Sequence, residues 1–313
     1  MDGVFAHVVF ADYGGDLVRR APFAAEAVVV EGVRGLRVRL PLTGAEAVAD
    51  VVRTTAAIGR VADALQAMGV EVALWPEGFE GMAAEAVAAR GIALARRADA
   101  WPFLLPRAVK KALAALGKEA ARCEIAVMGA DADLLVCVLE EVCHEVNFLT
   151  VVTQGEGGDS RLTAAVERIY EETGLEIVTT NDVRQALARA DVVVHVSPPE
   201  NGYATAYRHE AICFDLSGSR GMTAALLARR ADMLAADGLY ASLGRTTFPQ
   251  DVLALVLYGK SAAFARMVCA GYHAAVAQEV RADLARLRVT VAAYAQAGRA
   301  LSVAGLARQR MRR

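Results

Sequence analysis

The chain has 313 residues, of which 55% are hydrophobic and 22% charged, which excludes a disordered protein and allows two domains with separate cores. The formal net charge is −2, with acidic and basic residues mixed along most of the length, so we predict no nucleic-acid partner. The five cysteines form no Cys-x-x-Cys pair, which argues against a zinc site or a disulfide framework.

The N-terminus, Met1-Asp2-Gly3-Val4, lacks the basic and apolar regions of a signal peptide. No uncharged run is long enough to cross a bilayer. We therefore expect a cytoplasmic protein without a membrane partner.

Residues 1–118 are predicted to form a first α/β domain of the substrate-binding type. The pattern favours strands at 4–10, 27–30, 36–40, 70–75 and 92–95, with helices at 43–68 and 82–90. The residues expected in the buried stripe of the first helix are Val48, Val51, Val52, Ala56, Ile58, Val61 and Leu65. Trp101-Pro102 and Leu105-Pro106 indicate a linker before a helix at 107–116.

Residues 119–259 are predicted to form a second domain in which strands and helices alternate. Apolar strands are expected at 125–128, 148–153, 176–179, 192–196 and 212–216, with helices at 133–146, 160–173 and 182–189. Uniformly apolar strands joined by helical crossovers are typical of a parallel sheet covered on both faces. The predicted fold class is therefore α/β, with a Rossmann-like doubly wound parallel sheet.

Residues 260–313 are predicted to be a C-terminal helical segment, with a helix at 261–297 and a basic, solvated tail. This helix could pack on the N-terminal domain or form a homodimer contact. The sequence leaves both open.

The predicted strand at 125–128 leads into Gly129-Ala130-Asp131-Ala132-Asp133-Leu134, where a dinucleotide-binding loop would have Gly-x-Gly-x-x-Gly. Here Asp131 replaces the second glycine and Leu134 the third. If NAD or NADP binds, Gly129 and Asp131 lie in the loop that faces the pyrophosphate. The other residues predicted to contact the cofactor are Gln154 or Glu156 at the adenosine ribose and Ser197 and Pro198 at the nicotinamide. Alternatively, Asp131 and Asp133 satisfy the helix N-terminus themselves and repel a pyrophosphate.

Candidate acid–base residues follow the fourth strand. Tyr203, Tyr207 and His209 lie in a polar segment after the predicted crevice and are the best candidates for proton transfer. The alternative for each is a surface or capping role. His195 lies within an apolar strand, and we interpret it as a core histidine hydrogen-bonded to a neighbour.

Several segments resemble the Rossmann half of the shikimate dehydrogenase-like family and, less closely, glutamyl-tRNA reductase. They are residues 191–199 (DVVVHVSPP), 214–216 (FDL), 223–227 (TAALL) and 237–240 (DGLY). The resemblance implies a Rossmann fold with a nucleotide-type crevice. The catalytic motifs of both families are absent, because the first 120 residues contain no asparagine and no cysteine precedes Cys123.

Two functions remain from the sequence. The first is an NAD(P)-dependent oxidoreductase resembling shikimate dehydrogenase-like proteins, with an unidentified small-molecule substrate in an interdomain cleft. The second is a non-redox Rossmann-like protein, with a ligand-binding or regulatory role and a degenerate phosphate loop.

Overall fold

The chain forms two compact units, each built from discontinuous segments. The computed structural model describes residues 5–11, 23–153, 159–197, 203–217, 220–230, 233–297, 299–302 and 305. Unit 1 comprises residues 1–99 and 251–286, and unit 2 comprises residues 100–250 and 287–313. Residues 101–115, which the sequence places with the first domain, therefore group with unit 2, and the C-terminal segment is divided between the two units.

Unit 1 contains a five-stranded sheet in the order β2-β3-β1-β4-β5. β1 pairs in parallel with β3 and β4, whereas β2 is an antiparallel edge strand. The hairpin between β2 and β3 turns at Glu31-Gly32, where both residues have positive φ. The elements are β1 Phe5–Phe10, β2 Ala24–Val30, β3 Val33–Leu40, α1 Gly44–Ala49, α2 Val51–Ala67, β4 Val72–Leu74, α3 Glu80–Ala88, β5 Ala93–Ala95, α9 Gln250–Lys260, α10 Ala262–Ala270 and α11 Ala274–Arg286.

The single helix predicted at 43–68 is wrong, because the chain breaks at Asp50. The Asp50 carboxylate accepts a hydrogen bond from the backbone N–H of Arg53 at 2.9 Å and caps α2. This break turns Val48, Val51 and Val52 outward, with exposed fractions of 72%, 59% and 82%. Three other residues of the predicted stripe, Ile58, Val61 and Leu65, are buried in the core against the sheet.

Unit 2 contains a six-stranded, wholly parallel sheet in the order β11-β10-β9-β6-β7-β8. Counted from β6, this is the 3-2-1-4-5-6 order of a doubly wound Rossmann sheet, so the predicted fold class is confirmed. The elements are α4 Trp101–Ala115, β6 Glu124–Met128, α5 Ala132–Val142, β7 Phe148–Val152, α6 Ser160–Thr173, β8 Ile177–Thr180, α7 Val183–Arg189, β9 Val192–His195, β10 Ile212–Asp215, α8 Arg220–Arg229 and β11 Leu234–Ala236.

The linker predicted around Trp101-Pro102 and Leu105-Pro106 is instead the first half of α4. Pro102 lies in the first turn, where backbone N–H groups have no acceptor within the helix, so the missing N–H of proline removes no helical hydrogen bond. Pro106 is inside the helix and removes one backbone hydrogen bond. Burial of Trp101, Leu104 and Leu105 compensates, since all three side chains are almost fully covered.

Helix was also predicted through residue 297, but the helices end at Arg286 and two strands follow. These are β14 Thr290–Gln296 and β15 Arg299–Ser302, which join β12 Gly238–Leu243 and β13 Thr246–Pro249 in an antiparallel sheet of order β13-β12-β14-β15. Arg288, with φ of 55°, interrupts the helical path. The Tyr294 hydroxyl donates a 2.7 Å hydrogen bond to the carbonyl of Ala108 and links β14 to α4.

Candidate functional site

The carboxyl edge of the six-stranded sheet is the place where a doubly wound fold binds ligands, at the point where the strand order reverses. In this chain that point lies between β6 and β9, which are adjacent in the sheet. Gly129 follows β6, and Ser197 follows β9 by two residues. The sequence therefore placed both residues at the correct edge.

Gly129 packs against the end of β9 so closely that no side chain fits. It has φ of +146°, and an added Cβ would lie 2.6 Å from Val196 and 2.7 Å from the Ser197 backbone nitrogen and hydroxyl. The Ser197 hydroxyl accepts a 2.7 Å hydrogen bond from the backbone N–H of Ala130. Glycine is thus required by the contact with β9, and the first loop amide is already bonded to protein.

Asp131 caps α5 at the position where a dinucleotide-binding loop presents its amides. Its carboxylate accepts a 3.0 Å hydrogen bond from the backbone N–H of Leu134. A carboxylate at a helix N-terminus also neutralises the positive end of the helix dipole. The start of α5 therefore carries a negative charge that bonds to one of the helix's first amides.

Further carboxylates surround this helix start. Arg161, at the start of α6, forms ion pairs with Asp133 at 2.7 Å and with Asp159 at 3.1 Å. Hydrogen bonds from Arg161 lower the pKa of the Asp159 carboxyl. The Arg161 guanidinium therefore pairs with Asp133 and Asp159, while the Asp131 carboxylate bonds to the Leu134 amide. Because these three carboxylates outnumber the one guanidinium, this group of side chains favours neutral or positively charged groups.

A buried polar pair lies behind the edge. His195 is the last residue of β9, and its Nε2 atom is hydrogen-bonded to the Tyr207 hydroxyl at 2.5 Å. Burial lowers the pKa of His195 to about 4, so the ring is neutral at physiological pH. Its Nδ1 atom has no hydrogen-bond partner among the residues that the structure describes. The interpretation of His195 as a hydrogen-bonded core histidine is confirmed.

Asp215 is the register partner of His195 on the neighbouring strand, β10. Its carboxylate accepts hydrogen bonds from the Ser217 backbone N–H at 3.0 Å, from the Ser217 hydroxyl at 2.5 Å and from the Thr223 hydroxyl at 3.3 Å. Burial outweighs these bonds and raises the pKa of Asp215 to about 6. This side chain can therefore change charge near neutral pH, unlike an exposed aspartate.

The three predicted acid–base residues occupy different environments. Burial raises the pKa of Tyr207 far above its usual range, and its hydroxyl is bonded to His195. Tyr203 is partly buried, with the Arg184 guanidinium 5.8 Å from its ring centre. His209 is exposed in the turn before β10. Among these three residues, Tyr207 is the one that contacts His195 at the end of β9.

Gln154, Glu156 and Pro198 lie outside the described residues. Sequence reasoning did not propose Asp215 or Thr223 as site residues, although a lone carboxylate at the end of an apolar strand is a signal for a buried polar site.

No group of three or more His, Cys, Asp or Glu side chains in the described part of the chain is arranged to hold a metal ion. No single described helix is long and apolar enough to cross a membrane. The pair α9 and α10 reaches that length only together, across a bend of 112°.

Comparison with known proteins gives only distant structural similarity. No protein-family model matches the chain, and no curated protein sequence matches it. Solved structures that resemble it include L-tryptophan dehydrogenase from Nostoc punctiforme, with 12% identity and a TM-score of 0.37 over 91% of this chain and 80% of that one. Aspartate transcarbamoylase from Trypanosoma cruzi has 10% identity and a TM-score of 0.37 over 68% and 71% of the two chains.

A third similar structure is D-mandelate dehydrogenase from Rhodotorula graminis, with 13% identity and a TM-score of 0.31 over 53% of this chain and 58% of that one. These proteins catalyse different reactions, and similarity at this level does not distinguish among them. The Rossmann-like assignment depends on the strand order of this chain itself.

Proposed function

We propose that unit 2 is a Rossmann-type ligand-binding domain without nicotinamide-dependent redox activity, and that its ligand carries no pyrophosphate. The observation that supports this most directly is the Asp131 carboxylate on the Leu134 amide. A pyrophosphate at this helix would have to displace that cap and approach a carboxylate of the same sign. The ligand is a small molecule that is neutral or positively charged where it faces α5.

The loop amides support the same proposal. A phosphate-binding loop needs several backbone N–H groups free to point at the ligand. Here the Ala130 N–H is donated to Ser197 and the Leu134 N–H to Asp131. The loop is instead organised to hold β6 and β9 together.

A second candidate is an NAD(P)-dependent oxidoreductase of the shikimate dehydrogenase-like type. Its support is the 3-2-1-4-5-6 strand order together with the side-chain-free turn at Gly129. In this alternative, Asp131 would have to turn away from Leu134 when the cofactor binds. The proton-transfer role of Tyr203, Tyr207 or His209 remains a prediction.

Thermal unfolding with two sets of ligands separates the candidates. The first set is NAD(H) and NADP(H) at millimolar concentration, and the second is a panel of nucleosides and amino acids without phosphate. We expect no stabilisation by the dinucleotides and a rise in Tm with a member of the second set. A ligand at 100 times its Kd adds about 2.7 kcal/mol of stability, which is readily detected at this chain length.

Ser197→Ala should weaken the response to the stabilising ligand, whereas Ser242→Ala should not. Ser242 is a suitable control because it bonds to Thr247 within the antiparallel sheet. Stabilisation of the wild-type protein by a dinucleotide would overturn the proposal in favour of the oxidoreductase. A phosphate-free panel that stabilises nothing would contradict the ligand-binding role.

A further inference from the structure

A concave surface of about 780 Å³ lies at the amino edge of the six-stranded sheet, opposite the edge described above. It is formed by the first residues of β6, β7 and β8 and by the C-terminal ends of α5 and α6. All of these elements belong to unit 2. We call this surface the amino-edge groove. Its volume falls in the range of small-molecule sites.

The groove lies on a sheet face that the short helix α7 covers only in part, with Arg189, the last residue of α7, in its lining. This helix has seven residues, and Ala186 and Leu187 cover the carboxyl half of the sheet face. Phe148 and Val178, nearer the amino ends of β7 and β8, remain 56% and 55% exposed. They share one face of the sheet, because Val178 pairs with Thr150 and alternate residues of a strand face the same side.

Charge in the groove is predominantly negative. Its lining includes the carboxylates of Glu124, Glu172 and Glu176, and the guanidinium of Arg189, which pairs with Glu124 at 3.3 Å. The carbonyl ends of α5 and α6 point toward the same edge, since Cys143, which caps α5, and Thr173, the last residue of α6, line the groove. A helix C-terminus carries a partial charge of roughly −0.5, which adds to the effect of the carboxylates.

We propose that the amino-edge groove binds a small organic cation, with an ammonium or guanidinium head on an apolar stem. The exposed ring of Phe148 offers a face for a cation, and Glu176 immediately precedes the neighbouring strand β8. Val178 and Leu175 provide the apolar surface for the stem. This site is separate from the carboxyl edge and does not depend on the function proposed for that edge.

Butylguanidine and its neutral analogue butylurea test the proposal, because they differ mainly in charge. Amide chemical shifts of the isotope-labelled protein are followed while each probe is added to 20 mM. The guanidine should shift the amides of Phe148, Gly174 and Leu175 with a Kd at least about tenfold lower than that of the urea. Equal affinities for the two probes, or no saturable shift with either, would overturn the proposal.

Variants of the groove provide a second test. Glu176→Gln and Phe148→Ala should each weaken butylguanidine binding, the latter by about threefold, as expected for loss of an exposed cation–π contact. Glu167→Gln is the matched control, because Glu167 is exposed on α6 but does not line the groove. If Glu167→Gln weakened binding as much as Glu176→Gln, the effect would be general surface charge, and the groove would be excluded as the site.

Discussion

His195 and Asp215 are register partners at the ends of β9 and β10, and we predict that they make stability depend on pH in opposite directions. Burial lowers the pKa of His195 from 6.5 to about 4, so the unfolded chain takes up this proton first as the pH falls. The free energy of unfolding therefore decreases on acidification below pH 6.5, and this loss is complete below pH 4.

Asp215 changes the free energy of unfolding with pH in the opposite direction. Burial raises its pKa from 3.8 to about 6, so the folded state is protonated first as the pH falls. Its contribution to stability is fully present below pH 3.8 and is lost as the pH rises through 6. Each shift corresponds to about 3 kcal/mol over its full range, of which roughly 2 kcal/mol develops between pH 7.5 and pH 4.5. In the wild-type protein the two effects largely cancel.

Urea unfolding of the His195→Gln and Asp215→Asn variants at pH 7.5 and pH 4.5 separates the two contributions to stability. On going to pH 4.5, the stability of the wild type relative to His195→Gln should fall by roughly 2 kcal/mol. Relative to Asp215→Asn, it should rise by a similar amount. If both stability differences stay constant between the two pH values, or change in the same direction, the opposite pKa shifts of His195 and Asp215 are refuted.

Three further predictions concern stability and are measured by urea unfolding at pH 7.5. Gly129→Ala should lower the free energy of unfolding by roughly 1–3 kcal/mol more than Gly174→Ala does, because Gly174 also has a positive φ but has open space around it. Equal losses of stability in the two variants would contradict the close contact between Gly129 and the end of β9. Tyr294→Phe should cost about 1 kcal/mol because it removes a buried hydrogen bond between β14 and a carbonyl of α4, and an unchanged midpoint would refute this. Thr54→Val should cost about 1 kcal/mol because the buried hydroxyl bonds to two carbonyls at the α1–α2 junction, whereas Thr55→Val, on the exposed side, should cost less.

The alternation of strands and helices in residues 124–216 could be predicted from sequence alone. Parallel strands covered on both faces are apolar throughout, and this pattern is visible without tertiary information. Helix termini were also recognisable where a local signal marks them. Asp182 caps α7 through the Gln185 amide, and Gly174 ends α6 with a left-handed φ. These signals involve residues within one turn of each other.

Sequence periodicity failed where two patterns competed. Leu287 and Val291 continue a helical spacing, yet Thr290–Gln296 is a strand, because β12 pairs with it from about 50 residues earlier in the chain. Val48 likewise matched a helical stripe that the cap at Asp50 interrupts. In each case a contact or a cap outside the periodic pattern decided the outcome.

The composition of the carboxyl edge followed from the sequence, but its chemistry did not. The residues Gly129, Asp131 and Ser197 were expected there because strand ends in a parallel sheet share one edge. Whether Asp131 faces a ligand or the Leu134 amide, and whether His195 meets Tyr207 or solvent, depends on side-chain positions in the folded chain. The local sequence pattern determines which residues reach an edge of the sheet. Packing determines which of their polar atoms are already hydrogen-bonded and which charges are buried. The reason is that hydrogen bonds and desolvation depend on neighbours that are distant in the sequence.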